Sequence, residues 1–207
     1  MIPLQRIWPI ITSNDTLVPR DIRHDRPSYE EALAECGVLE VLAPFDPRIV
    51  GTPPLGLDLP VSDIDVVCFA PDAHAFTETV WRTFSNTQGF IVKQLVRSPR
   101  PVVASLEVAG WRIELYGEAT PVEKQRGWRH FAVERRLLTL GGADLTVAVL
   151  ALRQQGMKTE PAFAAALRLR GDPYLALLDL DEQDDETLVS VLRAEDFAKV
   201  TVPGQTG

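Results

Sequence analysis

Two aspartates, Asp63 and Asp65, flank Ile64 at the start of an apolar run. Side chains alternate between the faces of an extended strand, so both carboxylates point the same way. Two unit charges about 4 Å apart repel by ~4 kcal/mol at an effective dielectric of ~20, and such a pair either shares a proton or binds a cation. An all-oxygen donor set favours magnesium or manganese. The Asp-x-Asp pattern alone is unspecific, because acidic pairs also cap helices and solvate strand ends. Its surroundings sharpen it. Gly51-Thr52 stands ten residues upstream of Asp63, Gly56 lies four residues beyond Thr52, Ser62 adjoins Asp63, and Glu114 supplies a third carboxylate later in the chain. A glycine followed by a small hydroxyl residue lets backbone N–H groups and a hydroxyl approach phosphate oxygens closely. Carboxylate-held ions bridging those oxygens suit in-line displacement at phosphorus, where two metals ~3.5 to 4 Å apart stabilise the attacking and leaving oxygens.

These residues need a sheet to hold them. The segment Ile64 to Ala70 (IDVVCFA) is apolar on both faces, as a strand inside a sheet is, and Arg48 to Gly51 reads as a short strand before it. Pro71 and Asp72 open a helix running to about Asn86 and closed by Gly89, after which Phe90 to Val96 returns as a strand. Val102 to Val108 and Trp111 to Tyr116 form a hairpin about a two-residue Ala109-Gly110 turn. That register sets Glu107 against Arg112 as a cross-strand pair, Ser105 against Glu114, and Leu106 against Ile113 on the apolar face. Ahead of the sheet, nine of the sixteen prolines fall in the first 60 residues. They exclude a long helix there except over Ser28 to Cys36, with Ser28 as N-cap, Glu30 and Glu31 at the positive end of the dipole, and Gly37 as stop.

From Pro121 the pattern is helical: residues 121 to 140 stopped by Gly141, 144 to 155 by Gly156, 160 to 170 by Gly171, then 173 to 180. Leu145 to Leu152 is nearly all apolar and should be the core of this lobe. Thr159 and Asp172 are placed as N-caps, with Glu160 either complementing the helix dipole or touching substrate. Arg126, His130 and Glu134 recur every four residues on one helix face, as a surface charge ladder or as a polar wall facing a cleft. Lys158 is either a solvated loop lysine or a group that reaches phosphate from the helical side.

With 207 residues, 45% hydrophobic and 24% charged, the chain builds a core without metal or disulfide staples, so a metal site would be functional rather than structural. The apolar stretch Ile7 to Ile11 is short and broken by Pro9, no run approaches the ~18 residues of a membrane helix, and the expected location is the cytoplasm. Cys36 and Cys68 lack zinc or redox spacing and read as buried, reduced thiols. Of the net charge of -8, residues 179 to 196 carry eight carboxylates against Arg193 alone, the mark of a solvated acidic face or tail. No basic stripe with interleaved aromatics suggests a broad nucleic-acid groove.

The run Gly51-Thr52, ten residues ending in Ser62, Asp63-Ile64-Asp65 and the later Glu114 resembles the nucleotidyltransferase superfamily of the polymerase beta type. Small members of that superfamily carry Gly-Ser, a glycine four residues on, and Ser-Asp-x-Asp at this spacing. More closely, the chain resembles the bacterial domain of unknown function family 4269 through VGTPPLGLDLPVSDIDVVC, IELYGE, PVEKQRGWRHFAVERRLL and GMKTEPAFAAALRLRGDPYLALLDL, about residues 28 to 180 in all. The resemblance implies an α/β (α+β) fold: a lead-in over 1–27, a small mixed nucleotidyltransferase-like sheet with flanking helices over 28–120, a helical lobe over 121–180, and an acidic segment over 181–207. It implies that Gly51 and Thr52, with Ser62 and Lys158, bind nucleotide, and that Asp63, Asp65 and Glu114 bind Mg2+ or Mn2+ and serve catalysis. Glu114, or Asp65, would draw the proton from an incoming hydroxyl. Two positions depart from the superfamily pattern: Thr52 replaces serine, and Pro53-Pro54 occupy positions where many relatives carry a phosphate-holding arginine.

The expected activity is metal-dependent transfer of a nucleotidyl group from an NTP to a hydroxyl acceptor that the sequence does not identify. The second reading is a silent nucleotide-binding module, or one half of a toxin and antitoxin pair with a protein partner. A glycosyltransferase shares Asp-x-Asp but has no need of Gly-Thr upstream. Gly51-x4-Gly56 continues Leu57-Asp58 rather than Lys-Ser/Thr, so it is no Walker loop, G-x-S-x-G is absent, and the histidines form no metal cluster.

Overall fold

The computed structural model of the chain describes residues 26–193. The expected lead-in up to residue 25 and the tail from residue 194 lie outside the described residues. Ser28 caps α1 (Tyr29–Cys36): its side chain accepts from the Glu31 N–H while the Glu31 carboxylate accepts from the Ser28 N–H. Gly37 ends the helix with φ +63, and a further turn, α2 (Val38–Val41), follows that the sequence pattern does not signal.

Five strands form one mixed sheet in the order β1-β2-β5-β4-β3, namely β1 (Arg48–Val50), β2 (Ile64–Phe69), β3 (Ile91–Gln94), β4 (Val102–Val108) and β5 (Trp111–Glu118). β2 is flanked on both sides, antiparallel to β1 and parallel to β5. The expected hairpin register holds, with Ser105 opposite Glu114 and Leu106 opposite Ile113. Glu107 does face Arg112 in that register, but its carboxylate accepts from the Gln88 side-chain amide instead of pairing with the arginine. One face of the sheet, with Ile64, Val66, Cys68, Ile113 and Leu115, packs on α1 and on α3 (Ala73–Phe84). Cys68 is buried there and its thiol is pushed up to about 12 by desolvation, whereas Cys36 is only half-buried.

The other face meets the helical lobe. The expected helices over 121–140 and 144–155 are the two halves of α4 (Arg126–Gln154), separated as expected by a break, at Gly142, whose φ +63 and ψ -153 no side-chain-bearing residue adopts comfortably. The helix starts late because Val122–Lys124 forms a single 3-10 turn, capped by Gln125. α4 contains a window of mean hydropathy 1.3, long and apolar enough by composition to span a bilayer, contrary to the expectation from the sequence. Its Val133, Leu137, Leu145, Val149 and Leu152 instead form the core of the lobe with Phe163, Leu177 and Leu188.

α5 (Thr159–Ala166) starts with Thr159 inside the helix and Lys158 in the cap position, so Thr159 is not the expected N-cap. Asp172 does cap α6 (Pro173–Asp181), accepting from the Leu175 N–H. The acidic segment is not simply a solvated tail: α7 (Asp185–Arg193) buries Leu188 and Leu192 in the lobe. Its approach is guided by basic side chains of α4. Arg136 donates to Asp185 at 2.7 Å and to the Gln183 carbonyl at 2.8 Å, and Arg129 pairs with Asp181 at 2.7 Å. Truncating the fully buried Leu188 to alanine should therefore cost ~2 to 5 kcal/mol of stability, read from urea unfolding midpoints. A cost near that of a surface substitution would show that α7 is not docked.

Candidate active site

Gly51 ends β1 with φ +79, and a Cβ built on it would stand 2.5 Å from Asp65 Oδ2. The glycine is thus required twice, by the backbone and by the carboxylate lying against it. Thr52 and Ser62, both 8% exposed, join the two ends of the loop between β1 and β2: the Thr52 hydroxyl donates to Ser62 Oγ at 3.3 Å. Ser62 Oγ also accepts from the Leu59 N–H at 2.8 Å. These hydroxyls set the shape of the loop before any ligand arrives.

Asp65 lies directly across from Glu114 on the parallel neighbour β5, so the two carboxylates share one face of the sheet. Asp63 precedes β2 and is exposed, close enough to both to raise their pKa values. Burial first, then repulsion from Asp63, Glu114 and Glu160, pushes the Asp65 carboxyl up to about 7. Glu114 is raised mainly by burial and then by Asp63, with Arg112 and Lys93 pulling it down. An oxygen-only donor set under mutual repulsion is chemically suited to a hard divalent cation. Among the described residues, no three carboxylate, imidazole or thiol groups are gathered tightly enough to form a complete metal cage. Magnesium rarely has one, since it commonly takes one or two carboxylates and completes its shell with water and substrate phosphate. The residues present fit such an ion on those terms.

All seven sequence-predicted site residues, Gly51, Thr52, Ser62, Asp63, Asp65, Glu114 and Lys158, line one cavity of about 1200 Å³. The opposite wall comes from the helical lobe. His130 stands between two acceptors, with Nδ1 3.3 Å from Glu160 Oε1 and Nε2 3.1 Å from the Tyr174 carbonyl. That contact is what lowers the Glu160 pKa against the opposing effect of burial. Arg126, His130 and Glu134 all line the cavity, so the four-residue spacing marks a cleft wall rather than a surface ladder. Glu134 is 3% exposed, its Oε1 has no hydrogen-bond partner, and burial drives its carboxyl well above the usual range.

Arg153, like Arg97, Tyr116, Glu118 and Lys124, lines the cavity without having been singled out from the sequence. Its one signal is a cation placed directly after the apolar stretch Leu145 to Leu152.

Residues 31–180 match the family described as "Domain of unknown function (DUF4269)". The chain belongs to this family. No curated protein is detectably similar in sequence. A solved structure described as "Structural Basis for the Activity of a Cytoplasmic RNA Terminal U-transferase" matches at TM-score 0.50 and 16% identity, over 68% of this chain and 48% of that one. "Structure of Cid1 in complex with the UTP analog UMPNPP" matches at TM-score 0.44 and 20% identity, over 61% of this chain and 40% of that one. The "structure of GLD-2/RNP-8 complex" matches at TM-score 0.45 and 9% identity, over 67% of this chain and 54% of that one. The chain thus spans about half the length of these proteins. At such identities the likeness is one of fold: this family member has a nucleotidyltransferase-like α+β architecture.

The raised Asp65 carboxyl has a consequence for stability. Its folded pKa lies above its unfolded one, so between about pH 4 and pH 7 the unfolded chain releases this proton first, and stability falls as pH rises. A shift of about three pH units corresponds to up to ~4 kcal/mol. Urea unfolding of the metal-free protein at about pH 5 and about pH 8 should show this loss, and Asp65→Asn should flatten it. An equal slope in the variant would mean that Asp65 ionises freely in the folded state.

Proposed function

We propose that the protein is a metal-dependent nucleotidyltransferase that moves an NMP group from an NTP to a hydroxyl acceptor. The observation that carries this reading is the convergence of Asp63, Asp65 and Glu114 on the cavity entered by the Gly51-Thr52 loop. Gly51, with no side chain, allows a phosphate to approach the loop backbone beside Asp65. Thr52 and Ser62 hold that loop, and Lys158 faces it from the helical lobe. Asp63, Asp65 and Glu114 would hold Mg2+ or Mn2+, which when bound supplies positive charge to phosphate oxygens and to the leaving group. The acceptor oxygen forms a bond to the α-phosphorus, the bond from that phosphorus to the β-phosphate oxygen breaks, and pyrophosphate leaves with the electron pair. Glu114, or Asp65, takes the acceptor's proton. Both carboxyls have raised pKa values in the metal-free protein, as a proton acceptor working near neutrality requires.

Pro53 and Pro54 favour a second reading, in which the same site binds nucleotide without turning it over, as a sensor or with a protein partner. These prolines form a 3-10 turn and bring no charge to the phosphate loop. Pyrophosphate release from a panel of NTPs, with cell lysate as the source of acceptor, separates the two: Asp63→Ala and Asp65→Ala should each abolish release while the fold is kept.

Binding carries its own test. Free ATP adds negative charge to a face that already holds three carboxylates, whereas a bridging metal makes ion and nucleotide reinforce each other. A ligand specific for the folded state adds ~2.7 kcal/mol at a hundredfold excess over its dissociation constant. Metal with NTP should therefore raise the melting temperature by more than the sum of the separate shifts, and Asp65→Ala should erase the surplus. Additive shifts, or a surplus that survives in the variant, would overturn both readings.

A further inference from the structure

Arg153 stands near the C-terminal end of α4, on the helical side of the cavity, yet its Nη1 donates to the Leu57 carbonyl in the loop between β1 and β2. Its Nε–H is buried and has no hydrogen-bond partner. Among the described residues no carboxylate forms an ion pair with it. Glu134, Asp58, Glu160 and Asp63 lie within electrostatic range and favour the charged guanidinium, though Glu134 contributes little because burial drives its carboxyl toward the neutral form. A guanidinium that lines a cavity with Nη1 fixed to the loop and no carboxylate in direct contact presents a donor edge suited to an anion. Lys158 adds a second cation to the same wall, at the positive end of the α5 dipole.

We propose that Arg153 is the polyphosphate anchor of this site, supplying from the helical lobe the arginine that the phosphate loop lacks at Pro53-Pro54. The edge of its guanidinium that lines the cavity binds the polyphosphate, while its Nη1 keeps the loop in position through Leu57. One guanidinium thereby couples the placement of the loop to the presence of the anion. This inference rests on the nucleotidyltransferase reading, because it assumes that the anion is the polyphosphate of an NTP.

Calorimetric titration of the full chain with inorganic tripolyphosphate and Mg2+, with an NTP and Mg2+, and with a nucleoside monophosphate tests it. For Arg153→Gln, tripolyphosphate and NTP should each bind about tenfold or more weakly, with monophosphate affinity unchanged within about twofold. Arg153→Lys keeps the charge but loses the planar donor edge, and it should recover part of the affinity. Equal weakening toward all three ligands would make Arg153 a support of the loop only and overturn the proposal, as would unchanged tripolyphosphate binding. If Arg153→Gln does not fold, Arg153→Lys decides: full wild-type affinity overturns the proposal, and a several-fold loss confined to the polyphosphate ligands upholds it. Wild-type binding of NTP without tripolyphosphate defeats the anchor and leaves the nucleotidyltransferase reading standing. Binding of tripolyphosphate without NTP, lost in Arg153→Gln, keeps the anion site and defeats that reading.

Discussion

Asp65 occupies a position that electrostatics disfavours for a carboxylate, and much of the site is arranged around that fact. It is partly desolvated on a flanked strand, faces Glu114 across the parallel ladder, and has Asp63 two residues away. Arg112 and Lys93 partly offset the repulsion at Glu114, whereas burial and the neighbouring carboxylates set the shift at Asp65. The surrounding backbone enforces the arrangement. Gly51 makes room for the Asp65 carboxylate, and the parallel pairing of β2 with β5 locks Asp65 opposite Glu114, because a one-residue slip would send every side chain of β2 to the other face. That face carries the apolar core, so the register is specified by hydrophobic burial and the carboxylates are carried along with it.

Carboxylates line the cavity mainly from the sheet, where Arg97 also contributes, and cations mainly from the helical lobe. The sheet presents Asp63, Asp65 and Glu114, and the helical lobe presents Arg126, Arg153 and Lys158. Within the lobe, His130 and Glu160 satisfy each other, while Glu134 is kept close to neutral by burial. The lobe therefore retains net positive character toward the sheet despite the acidity of the whole chain. Much of that acidity is spent elsewhere: Asp181, Glu182 and Asp185 pair with Arg129 and Arg136 and fasten α6 and α7 to α4.

What could be read from the sequence follows the range of the interactions involved. Ser28, Asp72, Gly37 and the Ala109-Gly110 turn act on neighbours a few residues away, and the elements that they punctuate match the structure closely. Strand alternation likewise sets Glu114 opposite Ser105, since the hairpin register depends only on the turn, whereas Asp63 lies just before β2 and Asp65 meets Glu114 through the parallel pairing of β2 with β5, which no turn encodes. Glu134 and Arg153 were harder to read. Whether a helical charge faces water or a cavity is decided by the packing of α4 against the sheet, and no local spacing encodes that contact. The acidic run failed for a related reason. Charge density marks it as solvated, but Leu188 and Leu192 at a four-residue interval give it an apolar stripe, and their burial decides the outcome. The break in α4 was legible for the opposite reason: Gly141-Gly142 reads as a stop, and the backbone leaves the helical region at Gly142 before helix resumes.

The kink at Gly142 is also what lets one helix serve both ends of the site. The first half of α4 carries Arg126, His130 and Glu134 along the cavity, with Phe131 seated against Val50 and Val67 of the sheet. A straight helix of 29 residues would extend ~44 Å, well beyond a sheet of this size, and would carry its last turn away from the phosphate loop. Beyond the break, the second half carries Arg153 to the carbonyl of Leu57. The contact between lobe and loop thus depends on a backbone conformation open to glycine alone, and the position of the cation in the cavity is determined by a residue that does not line it.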